Sequence, residues 1–471
     1  CQVDLSIGKI KLPPFDVPEG ETAFSFLEKL AWKGAKKLYR SFTTAVQERL
    51  SFELGIIRKL SLASYFLVVW DIIKEAHRRG ILTVGRGSAA NSLVCRTLGI
   101  TEVDPIHHNL YFERFLSLER ADCPDIDIDF PWNRRDEMLD YVFKKYGHKN
   151  VALISTHIHL RGRSTLREVG KAMGIPTPEI NAFTSKLPHF AKLSELKEIQ
   201  ERVPECRELP IEDEPYRSMI RWSRKIEGFP RHLSIHCGGI VVSPDPITDT
   251  IPLQKTPKGF VVTQYDMGPV EDMGLLKIDF LSQMGLAVEV DTVQAIHENY
   301  NIRMDFSKAD ATQDEKTKEL IRNGDTVGCF YIESPGMRNL LRNLDVTDFD
   351  MLTAVSSIIR PGISDSGMMK AFINRHNGKE TVHYLHSKLK NVLQKTYGIM
   401  IYQEDVIKVA NTIAMMSLGE AEGLRKCMSK KRDRERIENY KDRFLSGAKK
   451  NGVAKETAQE ILVSKTTEKA L

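Results

Sequence analysis

Seven residues, Pro124-Asp125-Ile126-Asp127-Ile128-Asp129-Phe130, constrain this chain more than any other stretch. Polar and apolar residues alternate strictly, and a period of two belongs to a strand with one face in a core. Ile126, Ile128 and Phe130 then face inward, while Asp125, Asp127 and Asp129 line the opposite side. Same-face residues on a strand lie about 7 Å apart, and flexible carboxylates at that spacing can converge on two cations about 3.5–4 Å apart. Aspartate is poor in strands, and three anions in a row repel unless something positive sits among them. A charged edge strand kept from self-association is the plain alternative. The repetition on one face favours a metal site, and an all-oxygen donor set suits magnesium or manganese rather than zinc.

The chain of 471 residues has room for about three domains at roughly 150 residues each. Its 41% hydrophobic and 28% charged content is that of an ordinary globular protein. A formal net charge of +5 decides nothing about nucleic acid, but its distribution does more. Between Arg425 and Lys450 eleven Lys and Arg stand against four acids. That excess suits phosphates, although a solvated helix face laced with ion pairs has the same composition. The seven cysteines are odd in number and scattered without a Cys-x-x-Cys pair, so neither a zinc ribbon nor a disulfide framework is suggested. Reduced thiols fit a cytoplasmic setting. The early apolar run Tyr65–Trp70 ends at Asp71, too short for a membrane span, and no signal peptide precedes it. Opening on Cys1, the sequence reads as a fragment or a processed piece.

Residues 1–20, with Pro13-Pro14, Pro18 and Gly20, form an extended lead-in, followed by helical periodicity from Glu21 to Gly80. Helix returns near Asn133–Tyr146, and Val151–Ser155 is a short strand. A proline-interrupted helical insert occupies about Arg161–Lys225. Strand signals resume at Ser234–Val242, Phe260–Gln264 and Leu275–Phe280. The strands flanking the insert are expected to share one sheet. Beyond Leu281 the chain is helical, with turns expected at Pro335-Gly336, Pro361-Gly362 and Tyr397-Gly398.

Three further constellations can carry chemistry. Val84-Gly85-Arg86-Gly87-Ser88 precedes a helix-like run from Ala89. Its glycines let backbone N–H groups approach a phosphate, the following helix N-terminus favours anions, and Arg86 adds a charge; it is not a Walker loop. In Leu276-Lys277-Ile278-Asp279-Phe280, Lys277 and Asp279 share one strand face, as a surface ion pair or as part of a site with cations and phosphate oxygens. Phe112-Glu113-Arg114-Phe115 sets a charged pair between aromatics. His157 and His159 have no partner at metal-ligand spacing and read as ordinary strand histidines.

These pieces together resemble the bacterial replicative DNA polymerase III alpha subunits, the C-family polymerases. The resemblance runs through Gly85-Arg86-Gly87-Ser88-Ala89-Ala90, Leu98-Gly99-Ile100-Thr101, Asp104-Pro105, Phe112-Glu113-Arg114-Phe115-Leu116 and the aspartate strand. It continues through His232-Leu233-Ser234-Ile235-His236 with Gly238-Gly239, and Lys277-Ile278-Asp279-Phe280-Leu281. The later half adds Glu333-Ser334-Pro335-Gly336-Met337, Arg360-Pro361-Gly362, Thr396-Tyr397-Gly398, Tyr402-Gln403-Glu404, Leu424-Arg425 and Lys430-Lys431.

That resemblance implies an α/β palm of nucleotidyltransferase type at 21–160 and 231–282, an inserted helical thumb at 161–230, and mainly helical fingers at 283–471. It makes Asp125, Asp127 and Asp279 the catalytic, metal-binding carboxylates, a choice among the three aspartates of the first strand that pattern alone leaves open. It places Arg86, Gly87, Ser88, Arg114, Lys277, Arg425 and Lys426 against the incoming nucleotide, with DNA contacts from Lys430, Lys431 and Arg432. Lysine at 426 stands where the family often has a second arginine, and Asn91 where glycine is usual. Gly362-Ile363-Ser364 replaces a more usual second proline.

The function implied is template-directed transfer of a nucleotidyl group from a dNTP to a primer 3′-hydroxyl, with two Mg2+ ions, or Mn2+ in their place. Primer–template DNA and dNTP are the implied partners, other replisome subunits would act through regions absent here, and no membrane is involved. Set against the family, the sequence corresponds to a polymerase core without the amino-terminal phosphoesterase domain and the carboxy-terminal clamp- and oligonucleotide-binding regions. A template-independent nucleotidyltransferase and a catalytically silent DNA-binding paralogue are the alternatives.

Overall fold

A computed structural model describes residues 7–13, 15–119, 124–189, 191–304, 311–359, 367–430 and 434–463. Lys431, Arg432 and the Arg360-Pro361-Gly362 stretch lie outside the described residues, as does the side chain of Lys430. The architecture is mixed α/β and rich in helix, with seven strands among the described residues. They are β1 (Val84–Arg86), β2 (Ile126–Pro131), β3 (Val151–His159), β4 (Pro230–Val242), β5 (Leu253–Lys255), β6 (Val261–Thr263) and β7 (Lys277–Gln283). No described helix is long and apolar enough to cross a membrane.

The chain divides into two compact units, each discontinuous in sequence. One comprises Cys1–Lys11 and Tyr146–Leu276. Its strands run in the order β4-β3-β6-β5. As expected of strands flanking an insert, β3 and β4 pair, antiparallel and with two register shifts. Between them lie the helices Gly162–Ala172, Thr177–Lys186, Leu196–Arg202 and Tyr216–Ile226. Their inward residues, among them Leu166, Phe183, Leu196 and Met219, close a core of their own. His157 sits on β3 with its Nδ1 3.3 Å from Asp266 Oδ2.

The second unit comprises Leu12–Lys145 and Lys277–Leu471. Three helices open it, Ala23–Leu38, Thr44–Lys59 and Ala63–Arg78. The first starts on a capping box in which Thr22 Oγ1 accepts from Ser25 N and Ser25 Oγ accepts from Thr22 N. In the third, Tyr65, Phe66, Leu67, Val68 and Val69 are all fully buried. The apolar run that is too short for a membrane is thus a helix enclosed on most sides. Strands β1, β2 and β7 follow in that spatial order. Past the helix Met284–Tyr300, further helices pack around two cores, one at Leu341, Val355 and Phe372 and one at Ile413, Leu424 and Phe444.

Pro335-Gly336 departs from its expected turn. Pro335 is the first residue of the helix Pro335–Asn343, and Ser334 caps it by accepting from Met337 N at 3.3 Å. A proline at that position loses no hydrogen bond, because its N–H would have no partner in the helix anyway. At Tyr397-Gly398 both residues have positive φ, 55° and 79°, and the chain does turn.

Candidate active site

The acidic face is assembled by strand pairing. β2 and β7 run parallel, with Ile126 opposite Ile278, Asp127 opposite Asp279 and Ile128 opposite Phe280. Equal register in two alternating strands puts apolar side chains on one face and polar ones on the other. Ile126, Ile128, Phe130, Ile278 and Phe280 are buried, and the rings of Phe130 and Phe280 lie 5.0 Å apart. This buried pair of strands, far apart in sequence, holds Asp127 beside Asp279. Asp125, one residue before β2, joins them with its side chain about half exposed. One carboxylate oxygen from each of the three lies within 4.8 Å of the others.

Asp129 is excluded from that group by β1. The antiparallel pairing of β1 with β2 sets Arg86 opposite Asp127, and the Arg86 Nε reaches Asp129 Oδ1 at 3.1 Å. Four aspartates are therefore sorted into three that converge and one held by a guanidinium.

Lys277 lies among the three. Its Nζ is 2.9 Å from Asp125 Oδ1 and donates to Asp279 Oδ2 at 2.6 Å, and the residue is only 6% exposed. Burial by itself pushes the ammonium down, but Asp125 and Asp279 outweigh burial and hold it above the usual lysine range. The hydroxyl of Tyr65, wholly buried, donates to the Lys277 carbonyl at 2.9 Å and pins the strand from beneath. Lys277 makes no ion pair with Asp127 and only partly offsets what its surroundings do to it. Burial, then the charges of Asp125 and Asp279, raise the Asp127 carboxyl to about 7. One ammonium does not neutralise three carboxylates, so the cluster favours further positive charge, and its hard oxygen donors fit a divalent cation such as magnesium.

The glycine loop lies against the same carboxylates. Gly87 has φ +69°, and a Cβ there would stand 3.0 Å from Asp127 Oδ2; at Gly85 one would collide with the Ile100 carbonyl at 2.0 Å. Ser88 Oγ donates to the Asp125 carbonyl at 3.3 Å. The helix expected to follow is instead a 3-10 turn, Gly87–Asn91, and then the short helix Leu93–Thr97. The N-terminus of that helix is not open to an anion. Glu53, fully buried, accepts from Leu93 N, Val94 N and Ser92 Oγ at 2.9, 3.0 and 2.8 Å, and from Arg49 Nε at 2.6 Å. An internal carboxylate thus fills the N-terminus of the helix that does form, beyond the expected start at Ala89. Glu53 escaped the sequence reading, although its signal was there: it shares the inward face of its helix with Leu50, Leu54 and Ile57.

Two of the other candidate cations are engaged by carboxylates of their own. Arg114 forms an ion pair with Glu404, and its Nη2 donates to Gln403 Oε1 at 3.0 Å. Arg425 is buried and bidentate to Glu422, itself fully buried, at 2.7 and 2.8 Å. Lys426 is half-buried on the same helix, Leu418–Lys430.

The bacterial DNA polymerase III alpha NTPase domain matches residues 25–282, more than half of the chain. The chain belongs to the bacterial DNA polymerase III alpha family. The finger domain of that family matches residues 286–452. The DNA polymerase III subunit alpha of Bacillus subtilis is 40% identical over 98% of this chain and 41% of its own length. An error-prone DNA polymerase of Symbiobacterium thermophilum is 39% identical over 98% of this chain and 42% of its own. The DNA polymerase III subunit alpha of Aquifex aeolicus is 36% identical over 96% and 41%. This member of the family spans about two fifths of the length of the relatives it matches.

Proposed function

We propose that this chain carries the nucleotidyl-transfer site of a DNA-directed DNA polymerase. The observation that carries the reading is the convergence of Asp125, Asp127 and Asp279 around one buried lysine, in a chain of this family. The three carboxylates would hold two Mg2+ ions, which when bound activate the primer 3′-hydroxyl and neutralise the triphosphate. Lys277 keeps Asp125 and Asp279 together and turns its remaining N–H toward phosphate oxygens. Arg86, Arg114 and the backbone of Gly87 and Ser88 bind and orient the triphosphate, so that charge developing on it meets preformed donors.

In this reading residues 21–160 and 231–282 form the palm, 161–230 the thumb and 283–471 the fingers. Lys426 reaches toward the nucleotide from the fingers, as does Arg425 once it is released from Glu422. Lys430, Lys431 and Arg432 bind the DNA backbone by charge, independent of sequence.

Primer extension with each dNTP omitted in turn, in Mg2+ and in Mn2+, tests the assignment. Extension should stop at the first template position that calls for the missing nucleotide. Products that ignore the template would identify an untemplated transferase, and no product with either metal would identify a silent paralogue.

A further inference from the structure

The Arg114 guanidinium is engaged from both ends. One terminal nitrogen pairs with the Glu404 carboxylate and the other donates to Gln403 Oε1. The Arg114 and Glu404 side chains are only 22% and 15% exposed, so water screens their attraction weakly. Both are also firmly seated. Arg114 ends the 3-10 turn Phe112–Arg114, with Phe112 and Phe115 buried and their rings 6.0 Å apart. Glu404 stands in the first turn of the helix Gln403–Ala414, whose start is tied down by Asp405 Oδ2, an acceptor from Ile401 N and Tyr402 N at 3.0 and 2.9 Å.

A guanidinium has five N–H donors and one charge. With a carboxylate against it, its charge is largely cancelled, and the donors aimed at that carboxylate are withheld from any other anion. A triphosphate arriving at Arg114 must displace Glu404 or share the guanidinium with it. We infer that Glu404 is an internal competitor for nucleotide phosphate at Arg114 and so sets how tightly a triphosphate is held. The inference rests on the reading of Arg114 as a phosphate ligand. It also gives the contact a use, since a product pyrophosphate faces the same competitor and is released more readily.

Glu404→Gln keeps the shape and removes the charge. Single-turnover titration of dNTP on Glu404→Gln, Arg114→Ala and the double variant tests the inference, alongside inhibition by pyrophosphate and primer–template affinity. Glu404→Gln should tighten apparent dNTP binding about tenfold, the worth of one charge-assisted hydrogen bond, with no rise in maximal rate. Pyrophosphate inhibition should strengthen in step, and primer–template affinity should stay where it was. Gln403→Ala, which removes a neutral partner, should act in the same direction by a smaller factor. In the Arg114→Ala background the Glu404 effect should vanish. Unchanged or weaker nucleotide binding in Glu404→Gln, or an equal gain with and without Arg114, would overturn the competition while leaving Arg114 a phosphate ligand. Unaltered nucleotide affinity in Arg114→Ala would overturn both.

Discussion

Asp127 and Asp279 face each other across the parallel pairing of β2 and β7, each flanked by buried apolar residues that lock the register. A slip of one residue would turn one carboxylate into the core and bring an isoleucine or phenylalanine to the site. The same hydrophobic burial that stabilises the strand pair therefore fixes the distance between two anions that repel.

Asp127→Asn should reduce incorporation by on the order of 10³-fold, the loss of several kcal/mol of metal-site charge stabilisation. Primer–template affinity should hardly change. Asp129→Asn should be much milder, because that carboxylate is engaged with Arg86 rather than with the cluster. Single-turnover incorporation and DNA binding on one preparation of each variant decide it. Equal losses at the two positions would mean that Asp129 belongs to the site.

Lys277→Ala takes the cation away from Asp125 and Asp279. Apparent dNTP affinity should fall by about 1.5–3 kcal/mol, the range for a charge-assisted contact in a partly desolvated place. The three carboxylates left without their ammonium should also lower the melting temperature, more in EDTA than in Mg2+. Nucleotide titration and a thermal melt in each buffer check the two halves of this expectation.

Glu53→Ala should be strongly destabilising without touching the carboxylate cluster. It strands two buried backbone N–H groups and the Arg49 guanidinium, a defect of about 3–5 kcal/mol for a broken buried pair. Glu53→Gln keeps an acceptor and should lose less. Urea unfolding of the two variants gives the comparison, and equal stabilities for glutamate and alanine would show that the contacts contribute nothing.

Asp405 predicts a pH dependence. Burial lifts its carboxyl from 3.8 to about 6, against two backbone donors that pull it down. Between those values the folded state binds the proton more tightly than the unfolded chain, so stability falls as pH rises from about 4 to about 6. Asp405→Asn abolishes that titration. The stability of the variant relative to wild type should therefore improve across the window by on the order of 2–3 kcal/mol. Urea midpoints of both proteins at several pH values measure it, and parallel profiles would rule it out.

Much of the site was legible before any tertiary contact. Alternation alone placed Ile126, Ile128 and Phe130 in a core and the aspartates opposite them, because side chains on a strand have a period of two. The same local rule put Lys277 and Asp279 on one face of β7, and the proline-broken run from Arg161 marked the helical insert. Turn chemistry was less dependable. Pro-Gly at 335–336 opens a helix because Ser334 caps it, a role that depends on the hydrogen bonds the neighbouring chain goes on to make.

Everything that required two distant segments to meet was decided by packing. Asp127 and Asp279 are opposite one another only because β2 and β7 pair in one parallel register, and no local preference specifies a partner so far along the chain. Asp129 differs from its two neighbours because the same register sets it opposite Leu281 and β1 delivers Arg86 to it. The anion seat at the start of Leu93–Thr97 is filled by Glu53 from another helix, and Arg114 is held by Glu404 from a helix much later in the chain. A sequence determines which residues can carry charge on a face, since that follows from backbone geometry over a few residues. Which charges then meet, and which cancel, is settled by long-range burial, whose free energy belongs to the assembled core rather than to any one segment.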